Sequence, residues 1–190
     1  MKTSYVIIGF VSIALLQLTM SARIIWKQER VLVTGTAYKF KTAPIDPVDP
    51  FRGNYITLRF DENTFFIKNH KYKRGDKVRL SLKQDSEGFA MVTAIGKEDQ
   101  PVTHDYIWAT VSYVTEDFIR YDIPFNRFYM EEGKAKEAEI AYRDTHRLCP
   151  LEKVYALVYV REETAVLKDV YIKDIPIKEY VLQERASRIK

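Results

Sequence analysis

The sequence predicts a mainly β, antiparallel domain attached to an N-terminal transmembrane helix, together with one short amphipathic helix. Two observations carry this prediction. The stretch from Thr3 to Ala22 contains no charged residue, whereas nearly all of the 30 Lys and Arg and the 26 Asp and Glu residues follow it. In the body, apolar and polar residues alternate with the period of two that half-buried strands show, and the 13 tyrosines and 10 phenylalanines suit such strands.

The uncharged N-terminal stretch has two interpretations, an uncleaved anchor and a cleaved signal peptide. Twenty residues in a helix rise about 30 Å, the thickness of a bilayer's hydrocarbon core. A signal peptide would use Lys2 as its basic start and Ser21–Ala22 as its cleavage site. However, the apolar run is longer than the ~7–15 residues of a signal peptide's core, and Trp26 stands where an interfacial aromatic residue belongs. We therefore predict an anchor with a juxtamembrane helix over residues 1–30, with residues 3–26 in the lipid bilayer.

Charge does not set the orientation of this anchor. Lys2 precedes it, and Arg23, Lys27 and Arg30 follow it together with Glu29, so the positive-inside rule favours neither direction. A two-residue tail before a span and a large domain after it usually accompany export of the domain. We therefore expect a single-pass protein of the cell inner membrane whose C-terminal domain is extracytoplasmic.

Composition excludes some classes of partner and of covalent chemistry. The net charge is only +4, and basic residues alternate with acidic ones instead of forming a stripe, so nucleic acid is not expected as a partner. Cys149 is the one cysteine, which excludes an intramolecular disulfide. It is interpreted as a small buried hydrophobe, with a reactive or lipidated thiol as the alternative.

Strands are predicted throughout the body, residues 31–177. The segment Tyr55–Phe60 alternates apolar with polar residues, and so does 78–82. A loop that ends at Gly88 joins the second of these segments to residues 89–95 in a predicted hairpin. Further strands are predicted at Asp105–Val114, Phe118–Ile123, Val154–Val160 and Ala165–Ile172.

One helix, one terminal segment and one repeat complete the predicted organisation. Glu131–Tyr142 has the spacing of a short amphipathic helix, and residues 178–190 form either a helix or a tail. The hairpin sequences at 77–95 and 153–172 resemble each other. They favour two related β subdomains that divide near 114–118, although similar hairpins also arise by chance in β-rich chains.

The segment Thr42–Phe60 (TAPIDPVDPFRGNYITLRF) is the most distinctive in the chain. Its prolines recur at every third position, which imposes an extended or turned path before the strand. The segment resembles the signature of the GDYxxLxY family of bacterial membrane-anchored proteins: Gly53, Tyr55 and Leu58 match, whereas Asn54 replaces the motif's Asp and Phe60 replaces its last Tyr. The stretches YDIPFNRFYMEEGKAKEAE and AVLKDVYI also resemble those of the family.

This resemblance implies an extracytoplasmic β-rich domain that is often encoded beside a multispanning membrane protein, and it implies no particular reaction. Because Asn54 lacks the charge of an Asp, we interpret that position as structural. The signature then has two open interpretations, a structural turn and strand or a recognition surface. The candidate binding residues are Asp46, Asp49, Arg52, Gly53, Asn54, Tyr55, Leu58 and Phe60.

Recognised catalytic motifs are missing from the sequence. No nucleophile elbow, HExxH, Walker loop or CxxC occurs, so we predict no catalytic residues, no metal site and no cofactor. His70, His104 and His146 are widely separated, and a metal site built from them is not expected. A likeness to membrane-bound signal peptidases fails because no serine occurs between Lys27 and Arg52.

These observations favour a membrane-anchored extracytoplasmic accessory or interaction protein whose partner is an integral membrane protein. The alternative is an envelope hydrolase or a small-ligand-binding protein with a cleft between two β subdomains. Convergence of Asp49, Arg52 and a histidine in one concave, partly buried pocket would favour the alternative. An exposed apolar patch beside the signature, without a convergent polar site, would favour the accessory role.

Overall fold

A computed structural model describes residues 2–43, 55–97, 105–130, 138 and 154–188. The chain begins with helix α1, Lys2–Thr34. The most apolar 18 residues of its part Tyr5–Thr34 have a mean hydropathy of 1.9 and are not buried by the described part of the body, so α1 is long and apolar enough to cross a membrane. The side chains from Tyr5 to Trp26 project from the helix into open space, as the exposure of Phe10 (73%) and Leu18 (67%) illustrates.

The rest of the described chain is built from antiparallel strands and a second helix. The strands are β1 (Thr36–Ala43), β2 (Tyr55–Thr57), β3 (Arg59–Phe60), β4 (Thr64–Phe66), β5 (Lys77–Gln84), β6 (Ala90–Gly96), β7 (Tyr106–Val114), β8 (Phe118–Asp122), β9 (Arg127–Tyr129), β10 (Val154–Arg161), β11 (Thr164–Ile172) and β12 (Ile175–Pro176), followed by helix α2 (Ile177–Arg188). The predicted fold class, mainly antiparallel β with a long apolar N-terminal helix, is therefore confirmed.

The strands form two five-stranded sheets and one small sheet. The first sheet has the order β12-β11-β10-β1-β3, the second has the order β4-β8-β7-β5-β6, and the small sheet pairs β2 with β9. The turn after β5 lies against β1, where the backbone N–H of Lys39 donates to the carbonyl oxygen of Gly88 at 3.1 Å. Tyr38 of β1 also donates its hydroxyl to Asp105 Oδ2 at 3.1 Å, just before β7. These contacts join the first sheet to the second.

The alternation of apolar and polar residues predicted the buried positions of the strands correctly. Val78, Leu80 and Leu82 are at most 1% exposed, and Ile107, Ile119 and Val158 are fully buried on neighbouring strands. All of these side chains except Ile119 belong to one hydrophobic cluster that contains residues of both large sheets. Gly88 ends the β5–β6 turn with φ +83°, a conformation that favours glycine.

Several elements differ from the sequence-based expectation. The strand predicted at Tyr55–Phe60 is two short strands, because the chain leaves the small sheet and enters the first sheet at Leu58. Strand β1 was not predicted; it begins one residue after the helix ends. The C-terminal segment is helix α2, which is held by the buried Ile177 and Val181. Most of the predicted helix Glu131–Tyr142 lies outside the described residues; Ala138 is helical and fully buried.

The two similar hairpin sequences lie in different sheets. The β5–β6 hairpin belongs to the second sheet and the β10–β11 hairpin to the first. Residues 114–118, where a division of the chain was considered, form the tight turn between the paired strands β7 and β8, and the N–H of Thr115 donates to the Phe118 carbonyl at 2.9 Å. The chain therefore stays within one sheet at that point.

Helix α1 passes directly into the first sheet. It extends beyond residue 30 to Thr34, and Gly35 alone separates it from β1. Val31 on its last turns is 3% exposed. Arg161 at the end of β10 donates to the hydroxyl of Thr34. The end of α1 thus packs on the β10–β11 hairpin, whereas the preceding apolar part extends away from the body.

Candidate functional site

The described part of the signature begins with Tyr55 on β2. This strand pairs with β9, and the pairing sets Tyr55 opposite Tyr129. The two ring centroids lie 5.5 Å apart, and the guanidinium of Arg127 lies 5.1 Å from the centre of the Tyr55 ring. Tyr55 is half-buried and Tyr129 is 66% exposed. The motif tyrosine therefore forms one side of an aromatic pair that remains accessible from solvent.

Leu58 marks the point where the chain changes sheets. Its side chain is 3% exposed, and its N–H donates to the carbonyl oxygen of Asn126 at 2.8 Å. Two residues later, Phe60 pairs with Thr42 of β1 in the first sheet. A buried apolar side chain at this position fixes the crossing in the core, which explains why the motif carries a leucine there.

Phe60 packs in an aromatic cluster with Phe40 and Phe125. Its ring centroid lies 5.7 Å from that of Phe40 and 5.5 Å from that of Phe125, both in edge-to-face geometry, which favours aromatic rings in cores. Phe60 is 5% exposed. The side chains of Leu58 and Phe60 thus contribute to the core, while Tyr55 lies at the surface.

The other candidate binding residues, Asp46, Asp49, Arg52, Gly53 and Asn54, lie outside the described residues. Their role in recognition stays a prediction. The structure does describe the surface beside Tyr55–Phe60, the part of the signature that follows them in the sequence.

A groove lies at this surface, where the signature strands meet the second sheet. Its volume is about 680 Å³, within the range of small-molecule sites. One wall comes from residues 57–60 with Asn63, and the other comes from β7, β8 and the chain that follows β8. The lining residues are Thr57, Leu58, Arg59, Phe60, Asn63, Ser112, Tyr113, Arg120, Tyr121, Asp122, Ile123 and Asn126. We call this feature the seam groove.

The rim of the seam groove is polar and carries both signs of charge. Arg59 and Arg120 are exposed cations on its two walls, and Asp122 is an exposed acid on β8. Asn63 is fixed in the wall, because its carbonyl oxygen accepts the N–H of Tyr121 at 3.0 Å and its side-chain oxygen accepts the Thr64 hydroxyl at 2.8 Å. Guanidinium, amide and carboxylate groups therefore converge on one concave surface, which is suited to recognising a polar ligand or a peptide.

Tyr121 contributes a buried hydroxyl beneath the groove. The residue is 1% exposed, and within the described part of the chain its hydroxyl has no hydrogen-bond partner. Burial, together with the negative charge of Glu62, raises the pKa of Tyr121 above its ordinary value. Glu62 itself has a raised pKa because it is partly buried and lies near Asp61. A neutral phenol is thus maintained here at physiological pH.

An exposed aromatic patch, formed by Phe66, Tyr113 and Phe118, adjoins the groove. Phe66 is 78% exposed and Tyr113 is 54% exposed. The Phe118 ring lies 6.0 Å from Phe66 and 6.3 Å from Tyr113, and the guanidinium of Arg120 lies 5.7 Å from its centre. Tyr113 belongs to both features, and Arg120, which lines the groove, lies against Phe118 of the patch. The polar groove and the aromatic patch therefore form one continuous surface on β4, β7 and β8.

Sequence reasoning missed the contribution of β7 and β8 to this surface. Arg120 and Asp122 alternate with the buried Ile119 and Tyr121, so their exposure could have been read from the pattern. Their proximity to the signature could not be predicted from the sequence pattern, because it arises from contacts between segments about 60 residues apart.

Of the three histidines, the structure describes His70. His70 lines a separate cavity of about 620 Å³ with Tyr72 and Thr115, and its Nε2 lies 2.7 Å from the Thr115 carbonyl oxygen. His104, His146 and Cys149 lie outside the described residues. Within the described ranges, no group of three or more His, Cys, Asp or Glu residues has an arrangement that could hold a metal ion.

Comparison with known proteins gives one match. The model of the family described as GDYXXLXY protein matches residues 17–170, which covers the last part of α1 and nearly all of the β body. No curated protein and no solved structure matches the chain.

Proposed function

We propose that this chain, which belongs to the GDYXXLXY protein family, is a single-pass protein of the cell inner membrane whose extracytoplasmic β domain is a non-catalytic accessory module for an integral membrane protein. The partner is contacted through α1 in the bilayer and through the seam groove with its aromatic patch outside it.

The observation that carries this proposal is the exposure of α1. None of its apolar stretch is buried against the described part of the body, so the 14 large apolar side chains that are exposed between Tyr5 and Trp26 would face water if the chain were free in solution. Lipid, or the apolar surface of another membrane helix, would shield these side chains from water. Among the described residues, the helix contacts the body through its last turns, beginning near Lys27. We therefore distinguish a part that faces lipid from a part that packs on the body.

The composition of the exposed face supports a protein partner. Tyrosine, phenylalanine and arginine are enriched where protein interfaces concentrate their binding energy, and Phe66, Tyr113 and Arg120 supply these types side by side. Phe66 lies on the edge strand β4 and forms one exposed cluster with Phe118 and Tyr113, and contiguous exposed apolar patches are typical of interaction sites.

Site-directed photo-crosslinking tests this proposal. A benzoylphenylalanine residue at Tyr113 or at Phe66 is expected to crosslink one integral membrane protein in living cells. The same probe at Met91, which is 42% exposed at the other edge of the second sheet, serves as the matched control and is expected to give no such product. Equal products at Tyr113 and Met91, or none at all, would argue against the accessory role.

Membrane attachment and orientation are tested separately. The full-length chain is expected to stay in the membrane fraction after carbonate washing, and protease added to spheroplasts is expected to digest the β domain. A shorter, soluble product would indicate cleavage after the apolar stretch, and a protected domain would mean that it faces the cytoplasm.

A second candidate function is supported by the seam groove. Its volume and its convergent Arg59, Arg120 and Asn63 side chains suit a small polar ligand. Native mass spectrometry of the purified full chain would then show an added small-molecule mass that the double substitution Arg59→Gln and Arg120→Gln removes. If the mass is absent and the crosslink at Tyr113 is present, the accessory role is favoured.

A further inference from the structure

We infer that the junction between α1 and the β10–β11 hairpin binds the phosphate group of a membrane phospholipid. The inference rests on the proposed membrane attachment and concerns a second site, separate from the seam groove. A cavity of about 220 Å³ lies there. Its lining includes Trp26, Lys27, Arg30 and Val31 from the helix and Arg161 and Thr164 from the hairpin.

The cavity lies at the end of the apolar part of α1, which corresponds to the level of the lipid headgroups. Tyr5 and Trp26 are 21 residues apart, which corresponds to about 32 Å along a helix, and a bilayer's hydrocarbon core is about 30 Å thick. When the exposed apolar stretch fills that core, Trp26 lies at the interface, where tryptophan is enriched. Trp26 is 64% exposed, so its ring is available to the lipid.

Cations converge on the cavity from both elements. The guanidinium of Arg30 lies 4.9 Å from the centre of the Trp26 ring, and that of Arg161 is oriented by its hydrogen bond to Thr34. Lys27 forms an exposed ion pair with Glu163 at 3.4 Å. Glu162 adds a second acid to the hairpin turn, so three cations face two acids and the site retains a positive charge.

Two guanidinium groups on a shared cavity are the chemistry that recognises phosphate. Each presents planar N–H donors that match phosphate oxygens, and arginine binds such groups more specifically than lysine. Basic residues beside a membrane span also favour anionic lipids, by about fivefold for each Lys or Arg near the surface. Phosphatidylglycerol, which carries a phosphodiester and a net negative charge, therefore fits the site better than a zwitterionic lipid.

Fluorescence of Trp26 gives a direct test, because the chain has two tryptophans and Trp108→Phe leaves Trp26 as the reporter. The full-length chain is placed in phosphatidylcholine nanodiscs that contain the same minor fraction of either acyl-brominated phosphatidylglycerol or acyl-brominated phosphatidylcholine. We expect the phosphatidylglycerol to quench Trp26 as if its local concentration were roughly fivefold higher. Equal quenching by the two lipids would overturn the inference.

Variants locate the effect. The double substitution Arg30→Gln and Arg161→Gln is expected to make quenching by the two lipids equal, whereas Lys83→Gln, which removes an exposed cation that does not line the cavity, is expected to leave the difference intact. If both variants behave alike, the preference is a general charge effect and the inference fails. Phospholipid mass spectrometry of the wild-type chain, purified in mild detergent, provides a measurement that does not depend on the Trp108→Phe substitution.

A soluble phosphate is distinguished from a lipid by competition. Inorganic phosphate is added to the nanodiscs at ionic strength matched with sodium chloride. Retention of the quenching difference is expected for a lipid headgroup, and its loss would assign the site to a soluble anion. A chain that does not elute with the discs at all would contradict the membrane attachment itself, whereas a disc-bound chain without lipid preference would contradict only this site.

Discussion

Replacing Gly35 by alanine should disrupt the connection between α1 and the first sheet. A Cβ atom at this position would lie 2.6 Å from the carbonyl oxygen of Val31 and 2.9 Å from that of Val160. Both are backbone atoms, so neither can move aside as a flexible side chain would. The Gly35 N–H also donates to the Val31 oxygen at 2.8 Å, which means that any shift that relieves the clash weakens the last hydrogen bond of the helix.

The magnitude follows from the cost of overpacking. Forcing an extra methyl group into a closely packed site typically costs about 1–3 kcal/mol. For a domain of this size, each kcal/mol lowers the midpoint of thermal unfolding by about 2–4 °C. Gly35→Ala is therefore expected to lower that midpoint by roughly 2–12 °C, measured by circular dichroism on the full chain in detergent. Trypsin cleavage after Lys27 and Arg30 should also become faster.

Gly9 provides the matched control, since a Cβ atom there would meet nothing within 4 Å. Gly9→Ala makes the same chemical change inside the same helix and is expected not to lower the midpoint, because alanine is the better helix former. If Gly35→Ala and Gly9→Ala unfold at the same temperature and are cleaved at the same rate, the close approach at Gly35 does not support the junction.

Three further predictions concern the body. Leu80→Ala, at a fully buried position, should lower the free energy of unfolding by about 2–5 kcal/mol in urea denaturation. Tyr38→Phe should cost about 0.5–1.5 kcal/mol through the lost hydrogen bond to Asp105. Burial and Asp105 raise the pKa of Tyr38 from 10.0 to about 12, so the wild type, more than the variant, should lose stability as pH rises from 10 to 12. Asp85 accepts hydrogen bonds from two backbone N–H groups in its own turn, and these bonds lower its pKa. Asp85→Ala should therefore lower the free energy of unfolding at pH 7. The difference in stability between wild type and variant should disappear as pH falls through the lowered pKa of Asp85.

The alternation of residues predicted much of the sheet structure. Val78, Leu80 and Leu82 were assigned to one face from their spacing, and they are buried. The division of Tyr55–Phe60 into two strands escaped prediction because the alternation continues without interruption through Leu58, while the hydrogen-bonding partner changes from β9 to β1. A partner strand is a long-range property, and side-chain periodicity carries no information about it.

The candidate site was only partly accessible from the sequence. The alternation set Leu58 and Phe60 on the face opposite to Tyr55, and the structure has the first two buried and Tyr55 half-buried. The pattern could not show which other strands form the surface beside this segment. Nothing in the sequence distinguishes Arg120 and Tyr113 from other exposed residues of the predicted strands. They become part of a candidate site because the fold brings β7 and β8 against the strands that follow the proline-rich segment.

The direct passage of α1 into β1 has a mechanical consequence. A flexible linker would let the β body rotate independently of the helix. Here a single glycine joins α1 to β1, and the β10–β11 hairpin packs against the end of the helix. Strand β1 pairs in turn with β3, whose Arg59 lines the seam groove. If the apolar part of α1 spans a bilayer, as proposed, tilting or rotating the helix would turn the β body with it, including the wall of the groove that Arg59 lines. A neighbouring membrane protein that contacts only the helix would then set the orientation of the groove.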